Sequence, residues 1–192
     1  MTPLAPRVIR PADALTVLLG IAVFQGTWLV CVAAAAQGHP LLGSLTVVGL
    51  VLAILARSDD RQTDIQLVLE AVILGAAFDG LLLGAGLVEY ASPTPAAGWS
   101  PIWIVALWAQ FGAILRGPLH WLHGRLWLGA LLGAVGGPLS YLGAERLGAC
   151  QLGDGPGALI ALAVGWGIAM PALLLLARMH QRGQDSKTVA RS

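Results

Sequence analysis

Six apolar stretches, each close to the length of a bilayer crossing, are strung along this chain with only short polar breaks between them. A helix needs about 20 apolar residues to span a hydrocarbon core of about 30 Å. The stretches are Ala14–Ala36, Pro40–Ala56, Ile65–Val88, Pro101–Leu122, Leu126–Ala144 and Gly157–Ala177, the second being the shortest. Hydrophobic residues make up 57% of the chain and charged residues 11%. A soluble domain carries about 25% charged residues. The expected fold is therefore all-α: a polytopic transmembrane bundle of six helices in a single membrane domain, with a polar tail from Arg178 to Ser192. Backbone polar groups have no water to bond inside a bilayer, which leaves the helix as the spanning form for apolar runs of this length.

The breaks carry turn chemistry. Gln37-Gly38-His39-Pro40 reads as a tight hairpin, and Arg57 to Asp64 as a charged loop. Ser92-Pro93-Thr94-Pro95, His123-Gly124-Arg125 and the segment Glu145 to Pro156 supply the other links. With the N-terminus inside, Arg7, Arg10, Arg57, Arg61, Arg116, Arg125, Arg178, Arg182, Lys187 and Arg191 fall on the cytoplasmic side. Only Arg146 falls outside, which accounts for all 11 basic residues. Basic residues favour the cytoplasmic face, so both termini are expected there. Trp99 and Trp103 would mark one interface, and Trp121 and Trp127 the other. On a continuous helix, Trp99 and Trp121 stand about 33 Å apart. The first helix imitates a signal peptide, with Arg7 and Arg10 before it and Ala33–Ala36 at its end. Its apolar run exceeds the usual core of about 7–15 residues, so it reads as a retained span.

The net charge of +1 excludes a phosphate-binding face for nucleic acid. Two cysteines, Cys31 and Cys150, are too few for a disulfide framework or a zinc cage. Both fall toward the outer ends of their helices, so a single bridge between them stays open as the minor reading. No HExxH, GxSxG or phosphate-cradling loop is present, no cofactor or metal is expected, and the reading leans away from an enzyme.

Ionisable groups inside a bilayer are costly and mark function or pairing. Counting rise from the inner face puts Glu70 at about 8 Å, Asp79 at about 21 Å and Arg116 at about 8 Å. The matched depth suggests a structural ion pair between Glu70 and Arg116. Asp79 lies about 2.5 turns beyond Glu70, on the opposite face of the third helix. It shares its depth with Gln110, Ser140 and Tyr141, while Gln25 lies near mid-membrane. These five are the candidate ligand-binding set, with a hydrogen-bonded helix clamp as the alternative. Asp79 is expected to face the bundle interior, beside the segment Gly136–Tyr141, where Pro138 should kink the fifth helix. Arg116, His120 and His123, with Arg125 just beyond, form a basic stripe that could hold an anionic headgroup. Gly129, Gly133 and Gly137 make overlapping GxxxG steps suited to helix packing or to a homo-oligomer, and Gly80-x-x-x-Gly84 is a weaker one.

The run from Pro101-Ile102-Trp103 through Trp108, Phe111 and Gly124-Arg125 to Gly133-Ala134-Val135-Gly136-Gly137-Pro138-Leu139-Ser140-Tyr141-Leu142-Gly143, with Gly75-Ala76-Ala77-Phe78-Asp79 upstream, resembles the bacterial membrane proteins grouped as domain of unknown function 2878. The resemblance runs from the first helix to the last, and its GAVGGPLSYLG segment is its most specific part. It implies a polytopic membrane protein. Relatives encoded beside cyclopropane-fatty-acid-synthase-like enzymes imply membrane lipid, or a lipid-modifying enzyme, as partner. Where relatives are expected to carry Asn-His-Ser in helix four, this chain has Arg116-Gly117-Pro118. Three readings follow: binding or transport of a small amphiphile or lipid, a non-catalytic accessory subunit in lipid modification, and an intramembrane enzyme using Asp79.

Overall fold

The structure is a computed structural model that describes residues 11–96 and 98–189, with side chains from 14 to 96 and from 98 to 181. Arg7, Arg10 and Arg191, counted in the charge bias, lie outside the described residues, as do the side chains of Arg182 and Lys187. Among the described residues there are six α-helices: α1 (Pro11–Ala36), α2 (Pro40–Ala56), α3 (Arg61–Gly84), α4 (Ile102–Ala113), α5 (Leu126–Arg146) and α6 (Gly157–Val189). Two short strands, β1 (Val88–Tyr90) and β2 (Cys150–Leu152), pair antiparallel, and a 3-10 turn covers His120–Leu122.

The elements begin and end where local chemistry directs. Gly38 takes φ +78°, a left-handed position that closes the α1–α2 hairpin, and Pro40 opens α2, where a missing N–H costs nothing. Asp60 caps α3 by accepting from the Thr63 N–H at 3.3 Å. Among the described residues four helices are long and apolar enough to cross a membrane: Ala14–Ala36, Arg61–Gly84, Leu126–Arg146 and Gly157–Gln181. Large apolar side chains face outward on them, with Ile73 and Leu81 being 70% and 73% exposed. A lipid-facing surface has this character, whereas a water-facing one rarely does. The chain is a polytopic α-helical membrane protein.

The shortest helix, α4, is the most buried, and packs against α1, α2 and α3. The close α3–α4 approach depends on missing side chains: a Cβ at Gly112 would stand 2.8 Å from the Leu67 carbonyl oxygen, and one at Gly75 would overlap the Trp108 ring. α5 packs mainly on α6, and α6 also meets α3.

Helix four departs from the expected span. It stops at Ala113 instead of running to Leu122, and the chain continues in tight turns. Pro118 lacks a backbone donor and disfavours helical geometry at Gly117, which together favour the break. Irregular backbone at this depth is tolerated because it is buried in protein: Ile114, Leu115 and Leu122 are all inside. The 33 Å separation of Trp99 and Trp121 assumed an unbroken helix and does not hold. Trp99 and Trp127 are exposed, but Trp103 is a core residue, 1% exposed, and not part of a belt. α5 runs through Pro138 as one continuous helix. Beyond α3, the residues expected to finish the helix form a turn that leads into β1 at Val88 instead.

Candidate functional site

Asp79 sits on α3 with no solvent exposure. A carboxylate there needs donors, and three other elements each deliver one. Trp108 of α4 donates its indole N–H to Oδ2 at 2.6 Å. Tyr90 of β1 donates to Oδ1 at 2.5 Å, and Tyr141 of α5 donates to the same oxygen. The chain contains 2 tyrosines, and both are spent on this one carboxylate.

Local structure explains each arrival. Gly75, one turn before Asp79, leaves room for the Trp108 indole. The pairing of Tyr90 with Cys150 across the two strands brings Tyr90 over the end of the bundle. Trp103 packs edge-on against the Tyr90 ring at 5.7 Å and ties its own N–H to Ser92 at 2.7 Å. Burial, and then the charge of Asp79, push the Tyr90 phenol well above its ordinary range, so Tyr90 remains a proton donor.

In front of this cluster lies a cavity of about 580 Å³. Its floor is aromatic, built from the buried Trp103, Trp108 and Phe111 of α4 with the half-buried Trp166 of α6. Trp108 and Trp166 stack at 4.4 Å with planes 10° apart, and Phe111 meets Trp166 edge-on at 5.3 Å. Its rim is exposed: Gln25 of α1 on one side, and Leu132, Gly136 and Leu139 of α5 on the other. α1 packs on α2 and α4, and α5 on α6, so the cavity opens sideways between α1 and α5. Pro118 against Gly20 bounds the gap toward one end, and Trp28 against Gly143 toward the other. Asp79 does not border the cavity; Tyr90, Trp108 and Tyr141, which it holds, do.

The sequence candidates divide. Asp79 is interior and bonded to Tyr141, beside the Gly136–Tyr141 segment. Ser140 lines the cavity, but its hydroxyl donates to the Gly137 carbonyl at 2.7 Å, not to Asp79. Gln110 is fully buried and donates to the Phe24 carbonyl at 3.1 Å, so it braces α1 against α4. Gln25 stands at the rim. Sequence reasoning missed Tyr90, Trp108 and Trp166. The first lies in a link with no periodicity to place it, and the tryptophans carried no polar signature, although an indole N–H is a donor that a buried carboxylate can use.

Other expectations are corrected. Glu70 and Arg116 each have a different partner. Arg116 binds Asp64 at 2.9 Å and Asp60 at 3.4 Å, and Glu70 meets His180 of α6 at 2.9 Å. The matched depth presumed a continuous fourth helix; once α4 ends at Ala113, Arg116 is carried to the start of α3 instead. The same break reshapes the basic stripe, in which the His120 and His123 rings stay 4.8 Å apart. His123 is buried, bonded to the Leu115 carbonyl at 2.8 Å and to Gln181 at 3.3 Å, while His120 and Arg125 stay exposed. Burial pushes the His123 imidazole below its ordinary pKa. Gly129, Gly133 and Gly137 are covered by Leu174 and Trp166 of α6, so this face packs within the chain. Cys31 and Cys150 are free thiols, each buried and directed at a backbone carbonyl. Burial raises the Cys150 thiol to about 12. Among the described residues no group of three or more potential metal ligands gathers.

A family model described as a protein of unknown function (DUF2878) matches residues 17–172. The chain belongs to this family. Every residue that borders the cavity in this DUF2878 protein, from Phe24 to Met170, falls within the matched span. The GAVGGPLSYLG segment contributes Gly133, Gly136, Gly137, Leu139, Ser140 and Tyr141 to the wall. No curated protein and no solved structure matches the chain.

Proposed function

We propose that this DUF2878 protein binds a largely apolar amphiphile or lipid that enters its cavity sideways from the bilayer, in the inner membrane of a bacterium. The observation that carries this reading is the combination of a largely buried aromatic floor with an exposed rim formed by two spanning helices. Ligand sites are concave, mostly apolar and supplied with a few convergent polar groups. A mouth between α1 and α5 faces hydrocarbon, so what reaches it is whatever the hydrocarbon dissolves.

The enzyme reading is less supported by the geometry. Asp79 accepts three hydrogen bonds and stands one layer behind the wall, where a cavity ligand meets Tyr90, Tyr141 and Trp108 first. The accessory reading, in which the same cavity presents a lipid to a peripheral enzyme, differs in its consequence and not in its site.

The test uses protein in bilayers whose acyl chains carry bromine, a short-range quencher of tryptophan fluorescence. Gly136→Phe places a ring at the rim, where an added Cβ meets no atom within 4 Å, so the fold should tolerate it. The expected result is deep quenching of the wild-type protein, with the component from the floor tryptophans lost in Gly136→Phe. Equal quenching in both proteins would overturn the proposal.

A further inference from the structure

We infer that the molecule taken by this cavity is uncharged and carries a hydroxyl at its polar end: a long-chain or isoprenoid-type alcohol, and not a fatty acid or an anionic phospholipid. This rests on the reading of the cavity as a binding site and adds the chemistry of its polar pole. Among the described residues no lysine, arginine or histidine borders the cavity, so nothing in its wall compensates a negative headgroup.

The hydrogen-bonding direction of the wall is also fixed. Tyr90 and Tyr141 both donate their hydroxyl protons to Asp79, and Ser140 donates its own to the Gly137 carbonyl. Each of these oxygens retains lone pairs and has no proton left to offer, so the ligand must supply the proton. The tryptophan donors are committed in the same way: Trp103 to Ser92 and Trp108 to Asp79. Gln25 at the rim is the exception, for its side-chain amide carries N–H groups that can donate to a ligand oxygen. A hydroxyl uses both features, donating to a tyrosine or serine oxygen and accepting from Gln25. An ester only accepts. A carboxylate only accepts and brings charge as well. The apolar remainder of the ligand covers the stacked Trp108–Trp166 surface and passes out through the rim at Gly136 and Leu139.

The experiment is a competition on the full chain in detergent, read by native mass spectrometry. Hexadecanol, methyl hexadecanoate and hexadecanoic acid are offered at equal concentration to the wild-type, Tyr141→Phe and Gly136→Phe proteins. The expected result is that the alcohol exceeds both others by about fivefold or more, the scale of one or two hydrogen bonds. Tyr141→Phe should bring the alcohol down toward the ester, and Gly136→Phe should abolish all binding. The ester or the acid bound as well as the alcohol, and lost in Gly136→Phe, would overturn the hydroxyl assignment while leaving the cavity reading intact. Binding of all three that Gly136→Phe does not change, or of none, would overturn both. The wild-type comparison stands even if Tyr141→Phe does not fold.

Discussion

Asp79 joins four elements through one carboxyl group, so its loss strands three donors at once. Each buried donor left without a partner costs about 1–3 kcal/mol. Asp79→Ala should therefore destabilise the protein by about 3 kcal/mol or more, whereas Tyr90→Phe, which removes one donor and keeps the ring, should cost about 1 kcal/mol. Unfolding of the detergent-solubilised variants measures both, and equal losses would show that the cluster does not act through Asp79. Arg116 offers a second test at this scale. A double-mutant cycle should give a coupling of about 1 kcal/mol between Arg116 and Asp64 and none between Arg116 and Glu70. His123 gives a pH dependence of defined sign. Burial first, with the positive charges of His120 and Arg178 contributing, holds its folded-state pKa below the ordinary value of 6.5, while its contact with the Leu115 carbonyl opposes the shift. As pH falls below 6.5 the unfolded chain takes up the proton before the folded one, so stability should decline there and level off below the folded-state pKa. His123→Gln should flatten that decline in a thermal-unfolding series against pH.

Helix ends and helix faces were unequally legible. The ends of α1 and α2 follow from Gly38 and Pro40, whose backbone demands are local. α4 was overextended because hydropathy continues through Ile114 and Leu115, and an apolar residue buried in a turn looks the same in sequence as one in a helix. The strands β1 and β2 were invisible because three residues show no period, and their pairing joins links far apart in the chain. The glycines of α5 were recognised as a packing face, but which helix takes that face is not a property of α5. The structure assigns it to α6, and this makes neighbouring glycines unequal. A Cβ at Gly133 would overlap the Trp166 carbonyl, while one at Gly136 meets nothing within 4 Å. Gly133→Ala should lower the unfolding midpoint clearly, and Gly136→Ala should leave it nearly unchanged. The reverse order would mean that α5 does not pack on α6 through this face.

At the scale of the whole molecule, contacts of Gly20 with Pro118 and of Gln181 with His123 bring the early part of α1 and the far part of α6 to the same end of the bundle. The basic residues concentrate toward that end, so a reporter fused after Ser192 that is active only outside the cytoplasm should stay silent; activity would invert the orientation. The sequence by itself determined the class of fold, because the number and length of apolar runs are set by bilayer thickness and by the need of each backbone group for an internal partner. It also singled out Asp79, because a carboxyl group in hydrocarbon must be met by donors wherever it lies. Only the tertiary structure decided which donors those are, which charges pair with Arg116 and Glu70, and where the bundle is left open. Those outcomes depend on where α4 breaks and on which helices share a face, and both are settled by packing between segments distant in sequence, which no local pattern records.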